Sequence, residues 1–257
     1  MAAQPPAATQ SDHITQRTDY PYLGMHHNEI LRKQSAARVA QYKLEILGWE
    51  TALSAAKKFS NGKVCSIGQG SGLGLSRQPQ VQGTFNLCFW IQVEGESRQW
   101  VVRFPLKGIT SDDTTLARMR SEIATMQFLH QYTKVPVPGV IGYNENENDF
   151  PLFMILESVE GIRMSAFLAI DVPPHLLDRV FKDLSRIHLE LLSHPSDRIG
   201  MLDLSQLPNS PTPTLGPYSL DAIEHERDGV HTLKSEPLTS SRKYYEYKCR
   251  LVSGNSA

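Results

Sequence analysis

The sequence has few cysteines and nothing that looks like a secretory signal. Its three cysteines, Cys65, Cys88 and Cys249, are odd in number and widely spaced, so they indicate neither a disulfide framework nor a CxxC metal site. Sparse cysteine of this kind is typical of a reducing compartment. The first residues also lack the apolar core of a secretory signal. We therefore expect a cytoplasmic protein.

The sequence also lacks a charge excess and a long apolar run. The sequence contains 27 Asp and Glu residues and 26 Lys and Arg residues, which gives a net charge of -1. Dedicated nucleic-acid binders usually carry a basic excess, so we expect no nucleic-acid partner. No apolar run reaches the ~18 residues of a membrane-spanning helix, so we expect no membrane partner. The hydrophobic content of 40% is ordinary for a globular protein.

Composition and periodicity divide the chain into four segments. Residues 1–22 are rich in Ala, Pro, Gln and Thr and predict a disordered arm. Residues 23–62 have a helical pattern and predict an N-terminal extension that packs on the main domain. Residues 63–159 contain the short apolar runs of a sheet domain. Residues 160–257 predict a partial helical lobe with a disordered end.

The fold class follows from the apolar patterns in the third segment. Runs rich in Val, Ile, Phe and Trp predict strands at 64–67, 85–93, 99–104, 138–143 and 152–158. The polar connection at 94–97 predicts an antiparallel hairpin, and Pro105 is expected to end its pairing. Apolar positions at helical spacing predict a helix over 113–132. We expect an α+β fold in which this helix packs on one face of an antiparallel sheet.

A glycine turn precedes the hairpin at Gly83-Thr84-Phe85-Asn86. Glycine permits a positive φ and a close backbone approach. A turn with this composition can point its amides at phosphate oxygens. The alternative interpretation is an ordinary hairpin entry without a ligand.

A basic strand residue and an acidic helix residue form the second candidate feature. Arg103 lies on the opposite strand face from Val102 and Phe104. Glu122 lies at the rim of the apolar helix face, so the two side chains can meet. The alternatives are an edge-strand arginine in solvent and a surface pair between Glu122 and Arg118, four residues earlier on the helix.

These features occur in a recognisable order. The segments that carry it are GTFN, WVVRFP, ARMRSEIATMQFL, VPVPGVIGY, FMILESVEG and LSRIHLELLSHPSDRIGML. Together they resemble the aminoglycoside-phosphotransferase-like kinase family over about residues 60–250. The resemblance is greatest to its fungal branch, in which an arginine often replaces the usual strand lysine. It implies a two-lobed, protein-kinase-like fold, with ATP and magnesium as cosubstrate and phosphoryl transfer to a hydroxyl or similar acceptor.

The resemblance also implies a role for each candidate residue. It places Gly83, Thr84, Phe85 and Asn86 over the phosphates of a bound nucleotide. Arg103 would contact the phosphates, and Glu122 would orient Arg103. The backbone around Glu157 and Val159 would hold adenine, although a simple buried strand explains that segment equally well.

One family motif is missing from the sequence. Phosphoryl transfer in this family needs an H-x-D-x-x-x-x-N loop and a later metal-binding Asp. The segment most similar to this loop is His225-Glu226-Arg227-Asp228. The motif requires Asn five residues after the Asp, but the residue five after Asp228 is Leu233. We therefore expect no catalytic residue and no magnesium ligand in this sequence, which would be an amino-terminal portion of the family's domain. The alternative function is a non-catalytic, pseudokinase-like nucleotide-binding or scaffold module, with a protein partner covering the incomplete C-terminal lobe.

A second glycine-rich stretch lies at 68–74. A dinucleotide fingerprint would require a helix to begin there. Leu75 to Pro79 do not start a helix, so we interpret this stretch as a surface loop.

Overall fold

The computed structural model describes most of the sheet domain and parts of the chain that follow it. The described residues are 36, 40, 48–70, 80–83, 85–107, 112–148, 150–161, 172–202, 204, 215–216 and 237–246. The predicted arm at 1–22 and most of the predicted extension at 23–62 lie outside them. The helices and strands are numbered below in chain order within the described residues.

One antiparallel sheet forms the centre of the fold. Its strands are β1 (Cys65–Ile67), β2 (Gln80–Gln82), β3 (Asn86–Val93), β4 (Trp100–Pro105), β5 (Val140–Asn144) and β6 (Phe153–Glu157). The short strands β1 and β2 pair with different parts of β3, and β4, β6 and β5 follow in that order across the sheet. The five predicted strands all form, within one or two residues at each end, whereas β2 was not predicted.

The hairpin between β3 and β4 forms as expected. The turn places Gly95 at a φ of +76°, a conformation that glycine adopts without a steric penalty. The strands then pair from Ile91 opposite Trp100 to Asn86 opposite Pro105. The sequence predicted that pairing would stop before Pro105, but Pro105 is itself the last paired residue of β4. Proline is tolerated here because it is the last residue of the strand, where the missing N–H costs least.

Two helices cover opposite faces of the sheet. They are α1 (Trp49–Lys57) and α2 (Asp112–Tyr132), and a third helix, α3 (Pro174–Leu192), lies further along the chain. In β6, Phe153 and Ile155 belong to the cluster that includes α1, while Met154 and Leu156 belong to the cluster that includes α2. Because neighbouring strand residues point to opposite faces, the helices lie on opposite sides of the sheet.

The α1 face holds most of the core. Three alanines of α1 are fully buried, which lets the helix approach the sheet closely. A row of edge-to-face aromatic contacts crosses the strands, from Trp49 to Phe89, from Phe89 to Phe104, and from Phe104 to Phe153. Each such pair contributes about 0.5–1.5 kcal/mol beyond its buried area. This face therefore stabilises the sheet.

The α2 face is smaller and leaves part of the sheet uncovered. Met119, Ile123 and Met126 of α2 pack against Met154 and Leu156 of β6. These are the apolar helix positions that the periodicity predicted. Helix α2 therefore covers β6 and its neighbours, while the same face of β3 is only half-buried. The predicted α+β arrangement, an antiparallel sheet with this helix on one face, is confirmed.

Helix α3 has an apolar side that the described structure does not cover. None of its residues is buried, and the exposed fraction is 63% for Phe181 and 75% for Leu192. His188 on this helix is also exposed, and its Nδ1 atom lies 2.8 Å from the Leu184 carbonyl oxygen. The helix contacts the sheet domain near its end, where the Lys134 N–H donates to the Glu190 carboxylate at 3.0 Å. None of the described helices is long and apolar enough to cross a membrane.

Gly142 provides a test of the packing on the α1 face. A bulge in β5 shifts the pairing between Val140 and Gly142. A Cβ atom at position 142 would overlap the ring of Phe59. We expect Gly142→Ala to destabilise the protein by about 1–3 kcal/mol, the usual cost of overpacking a core. Urea denaturation followed by circular dichroism measures this change.

The matched control for Gly142→Ala is the double variant Gly142→Ala/Phe59→Leu. Leucine removes the ring edge that the new methyl group would strike. We expect the cost of Gly142→Ala to be smaller in the Phe59→Leu background than in the wild type, because contacting residues couple. Equal costs in the two backgrounds would contradict the packing described here.

Candidate functional site

A pocket of about 180 Å³ opens between α2 and the ends of β3, β4 and β6. It is lined by Phe85, Asn86, Arg103, Pro105, Leu106, Thr115, Arg118, Met119, Glu122 and Met154. Four of the predicted site residues, Phe85, Asn86, Arg103 and Glu122, are among them. The structure thus brings together residues from a turn, a strand and a helix.

Arg103 and Glu122 form an ion pair in this pocket. The Arg103 Nη1 atom donates to the Glu122 Oε1 atom at 2.6 Å, and the two side chains are 22% and 41% exposed. Arg103 points to the α2 face because Val102 and Phe104 on either side of it are buried against α1. Of the alternatives left open by the sequence, the solvated arginine and the Glu122–Arg118 surface pair are both excluded by this contact.

Cys88 lies beside the pair on the neighbouring strand. It stands opposite Arg103 in the β3–β4 register. Burial raises the pKa of the Cys88 thiol, Arg103 opposes this shift, and Glu122 adds to it. Cys88 is therefore a protonated thiol at neutral pH, and its ionisation reports on the charges of the pair. No role for Cys88 was predicted from the sequence.

The turn at 83–86 joins β2 to β3 and closes one end of the pocket. The Gly83 N–H donates to the Asn86 carbonyl at 2.8 Å, and the Leu106 N–H donates to the Phe85 carbonyl at 2.7 Å. Gly83 does not have a positive φ. A Cβ atom there would contact only the Asn86 carbonyl, at 3.7 Å. The fold itself therefore does not require glycine at this position. Thr84 lies outside the described residues.

A second arginine also reaches the pocket. The Arg118 guanidinium lies over the Phe85 ring, with 4.5 Å between its carbon and the ring centroid. From the sequence, Arg118 was interpreted only as a surface partner of Glu122. The missed signal is its position on α2, one helical turn before Glu122 and therefore on the same side of the helix.

The two residues predicted to hold adenine, Glu157 and Val159, lie at the end of β6 and do not line this pocket. The Glu157 N–H donates to the Gly139 carbonyl at 3.0 Å, so that donor is already used. The Val159 backbone makes no hydrogen bond within the described part of the chain, and its side chain is 64% exposed. Among the described residues, the Val159 N–H group therefore has no partner, whereas the Glu157 N–H has one.

Two other sequence features lie wholly or partly outside the described structure. The residues His225 to Asp228, the nearest imitation of a catalytic loop, are not among the described residues. Nor are residues 71–79, which contain most of the second glycine-rich stretch. Within the described ranges, no group of three His, Cys, Asp or Glu side chains is arranged to hold a metal ion.

A model of a known protein family matches the part of the chain that contains the candidate site. The model of the phosphotransferase enzyme family (APH) matches residues 82–222, more than half of the chain. This match begins at the turn that closes the pocket and includes Arg103, Glu122, Glu157 and Val159. No curated protein matches the chain significantly.

Two solved structures are similar to parts of the chain. The GDP complex of a point mutant of aminoglycoside 2'-phosphotransferase-IIIa is 24% identical, with a TM-score of 0.36, and the match covers 51% of this chain and 37% of that one. The GDP complex of the wild-type enzyme is 25% identical, with a TM-score of 0.24, and the match covers 37% and 26%. The chain thus spans well under two thirds of either relative.

The ionisation of Cys88 tests the geometry of the pair without any ligand. We expect the rate of Cys88 alkylation by iodoacetamide to rise with pH along a curve displaced above that of a free cysteine, because burial raises the thiol pKa. Arg103→Gln removes the group that lowers this pKa and should move the curve to still higher pH. Glu122→Gln removes a group that raises it and should move the curve to lower pH. Mass spectrometry of the Cys88 peptide measures each rate.

Arg120→Gln is the control for the alkylation curves. Arg120 lies on the same helix, but its guanidinium pairs with Glu145 at 3.3 Å and does not line the pocket. We expect its curve to match that of the wild type. A downward shift with Arg103→Gln would show that Arg103 does not act on the thiol as described.

Proposed function

Because the chain belongs to the phosphotransferase enzyme family, we propose that its sheet and α2 form a nucleotide-binding lobe that holds ATP. The observation that carries this proposal is the ion pair between Arg103 and Glu122 in a pocket closed by the turn at 83–86. In kinases the corresponding strand cation and helix Glu hold the nucleotide phosphates in place.

Arg103 is suited to the phosphates because of its shape and its charge. A guanidinium group has five N–H donors in a planar fork and keeps its charge at physiological pH. Arg103 donates from Nη1 to Glu122 and also hydrogen-bonds the Cys88 thiol, which leaves part of its five-donor fork for phosphate oxygens. Charge-assisted hydrogen bonds of this kind are about twice as strong as neutral ones. Glu122 would then fix the direction in which Arg103 presents its donors.

The pocket has room for the phosphates but not for a whole nucleotide. Its volume of about 180 Å³ is below the roughly 300–1,000 Å³ of pockets that enclose a drug-sized ligand. We propose that the base lies outside the pocket, near the end of β6. There the free Val159 N–H would donate to an adenine edge. The sequence interpretation took backbone groups around both Glu157 and Val159, and the bond from the Glu157 N–H to Gly139 narrows the available donor to Val159.

Magnesium does not fit the described residues. Its usual partners are carboxylate oxygens and substrate phosphates, and the family's metal ligands belong to a motif that the sequence does not contain. The described part of the chain offers no cluster of three metal-binding side chains in its place. We therefore propose that ATP binds to these residues without a strong dependence on magnesium.

The family activity is phosphoryl transfer, and we propose that these 257 residues bind nucleotide without transferring phosphate. The reason is the absence of an H-x-D-x-x-x-x-N sequence, which supplies the group that orients the acceptor. The second candidate is a scaffold module that binds another protein. The exposed apolar side of α3 favours it, because helices normally bury such a stripe. We further propose a cytoplasmic location, on the basis of the sparse cysteines.

Calorimetric titration with ATP and with GTP, each with and without magnesium, tests nucleotide binding. We expect saturable binding by the wild-type chain and an affinity at least about tenfold lower for Arg103→Ala. The reason is that a hydrogen bond to a charged group contributes about 1.5–3 kcal/mol, and 1.4 kcal/mol is tenfold in affinity. Labelled-ATP turnover against pooled hydroxyl acceptors should stay at the solvent background.

Arg186→Ala is the control for Arg103→Ala. Arg186 is an exposed arginine of α3 that pairs with Asp183, so its loss removes the same charge away from the pocket. We expect wild-type affinity from this variant. No binding of either nucleotide would refute the proposed function and leave the scaffold module. Turnover that Arg103→Ala abolishes would refute the proposal that these residues do not transfer phosphate.

A further inference from the structure

Arg118 and Phe85 form a contact between two elements on either side of the pocket. Phe85 belongs to the turn, and Arg118 lies on α2. The guanidinium carbon lies 4.5 Å from the ring centroid, well within the distance of about 6 Å at which a cation is attracted to an aromatic face. Both side chains line the pocket. The contact therefore fixes the direction of an arginine at the pocket wall.

The charges at the pocket are unequal. Of the described residues that line it, Arg103, Arg118 and Glu122 carry charge. Glu122 forms its ion pair with Arg103, and within the described residues Arg118 has no carboxylate partner. Other arginines of the sheet domain do have one, since Arg98 pairs with Glu157 and Arg120 pairs with Glu145. The charged side chains of the pocket thus leave one positive charge without compensation.

The contact with Phe85 leaves donors of Arg118 usable. A guanidinium carries five N–H groups around a planar fork, and a single ring on one side of it cannot engage all of them. Arg118 can therefore hydrogen-bond an anion while it stays over the ring. The ring also restricts the side chain, so less conformational freedom is lost when a ligand binds.

We propose that Arg118 is a second phosphate-binding arginine of this site and that Phe85 is the residue that positions it. The inference rests on the proposed nucleotide function and adds to it the residues that recognise the terminal phosphates. Two arginines and one carboxylate line this pocket, and this excess of positive charge fits a triphosphate group better than a monophosphate. Arg118 hydrogen-bonds the terminal phosphates, and Phe85 supports binding only by holding Arg118 in position.

The test is a comparison of ATP, ADP, AMP and inorganic tripolyphosphate by calorimetric titration. The variants are Arg118→Gln, Phe85→Leu and the double variant. We expect Arg118→Gln to weaken ATP and tripolyphosphate about tenfold or more, as for the loss of a charge-assisted hydrogen bond, and to change AMP by less than about twofold. Phe85→Leu should weaken ATP about two- to fivefold, which corresponds to a cation–π contact of modest strength.

The double variant separates positioning from direct contact. If Phe85 acts through Arg118, then Phe85→Leu has no further effect on ATP affinity once Arg118 is glutamine. Additive losses would refute the positioning role. Arg120→Gln is the matched control on the same helix and should bind ATP as the wild type does. Circular dichroism of each variant verifies that the helices remain intact.

Failure of this inference can be told apart from failure of the proposed function. If the wild type binds ATP and Arg118→Gln binds it equally well, only the role of Arg118 is refuted. An equal loss for AMP and ATP would also refute it, since the effect would not depend on the terminal phosphates. If the wild type binds neither ATP nor tripolyphosphate, both the proposed function and the role of Arg118 are refuted.

Discussion

The ion pair between Arg103 and Glu122 is the interaction on which the candidate site depends. Arg103 lies in the middle of the sheet, where its neighbours along β4 are buried, and a charge in such a position is costly unless it is paired. Glu122 supplies the partner from α2 and also fixes which way the guanidinium points. The pair needs the strand register, the strand face and the helix position to be correct together. Removing one partner would leave the other half-buried and alone.

The two faces of the sheet differ, because one holds the aromatic core and the other holds the candidate site. The α1 face holds a continuous row of aromatic contacts that includes Phe89, Phe104 and Phe153, and these rings pack across neighbouring strands. The α2 face covers β6 but leaves the region around Cys88 and Arg103 half-buried. Charged and polar groups can stay in that region because it remains accessible. A site built on a rigid sheet keeps its geometry better than one built on loops.

Much of this arrangement follows from local patterns in the sequence. Alternation in β4 places Arg103 on the opposite face from Val102, and the turn at 94–97 fixes a register that sets Cys88 opposite Arg103. The partner of Glu122 could not be read in this way. Arg103 and Arg118 were both within reach, and only the packing of α2 on the sheet decides between them. The contact of Arg118 with Phe85 likewise depends on tertiary packing. So does the hydrogen bond from the Glu157 N–H to the Gly139 carbonyl.

A double-mutant cycle on ATP affinity tests the central claim most directly. Arg103→Met keeps an unbranched side chain and removes the charge, and Glu122→Gln keeps the shape of the carboxylate. If Glu122 acts by orienting Arg103, then Glu122→Gln weakens ATP binding in the wild type and has no further effect in the Arg103→Met background. Equal losses from Glu122→Gln in both backgrounds would mean that the pair is not the unit that holds the phosphates.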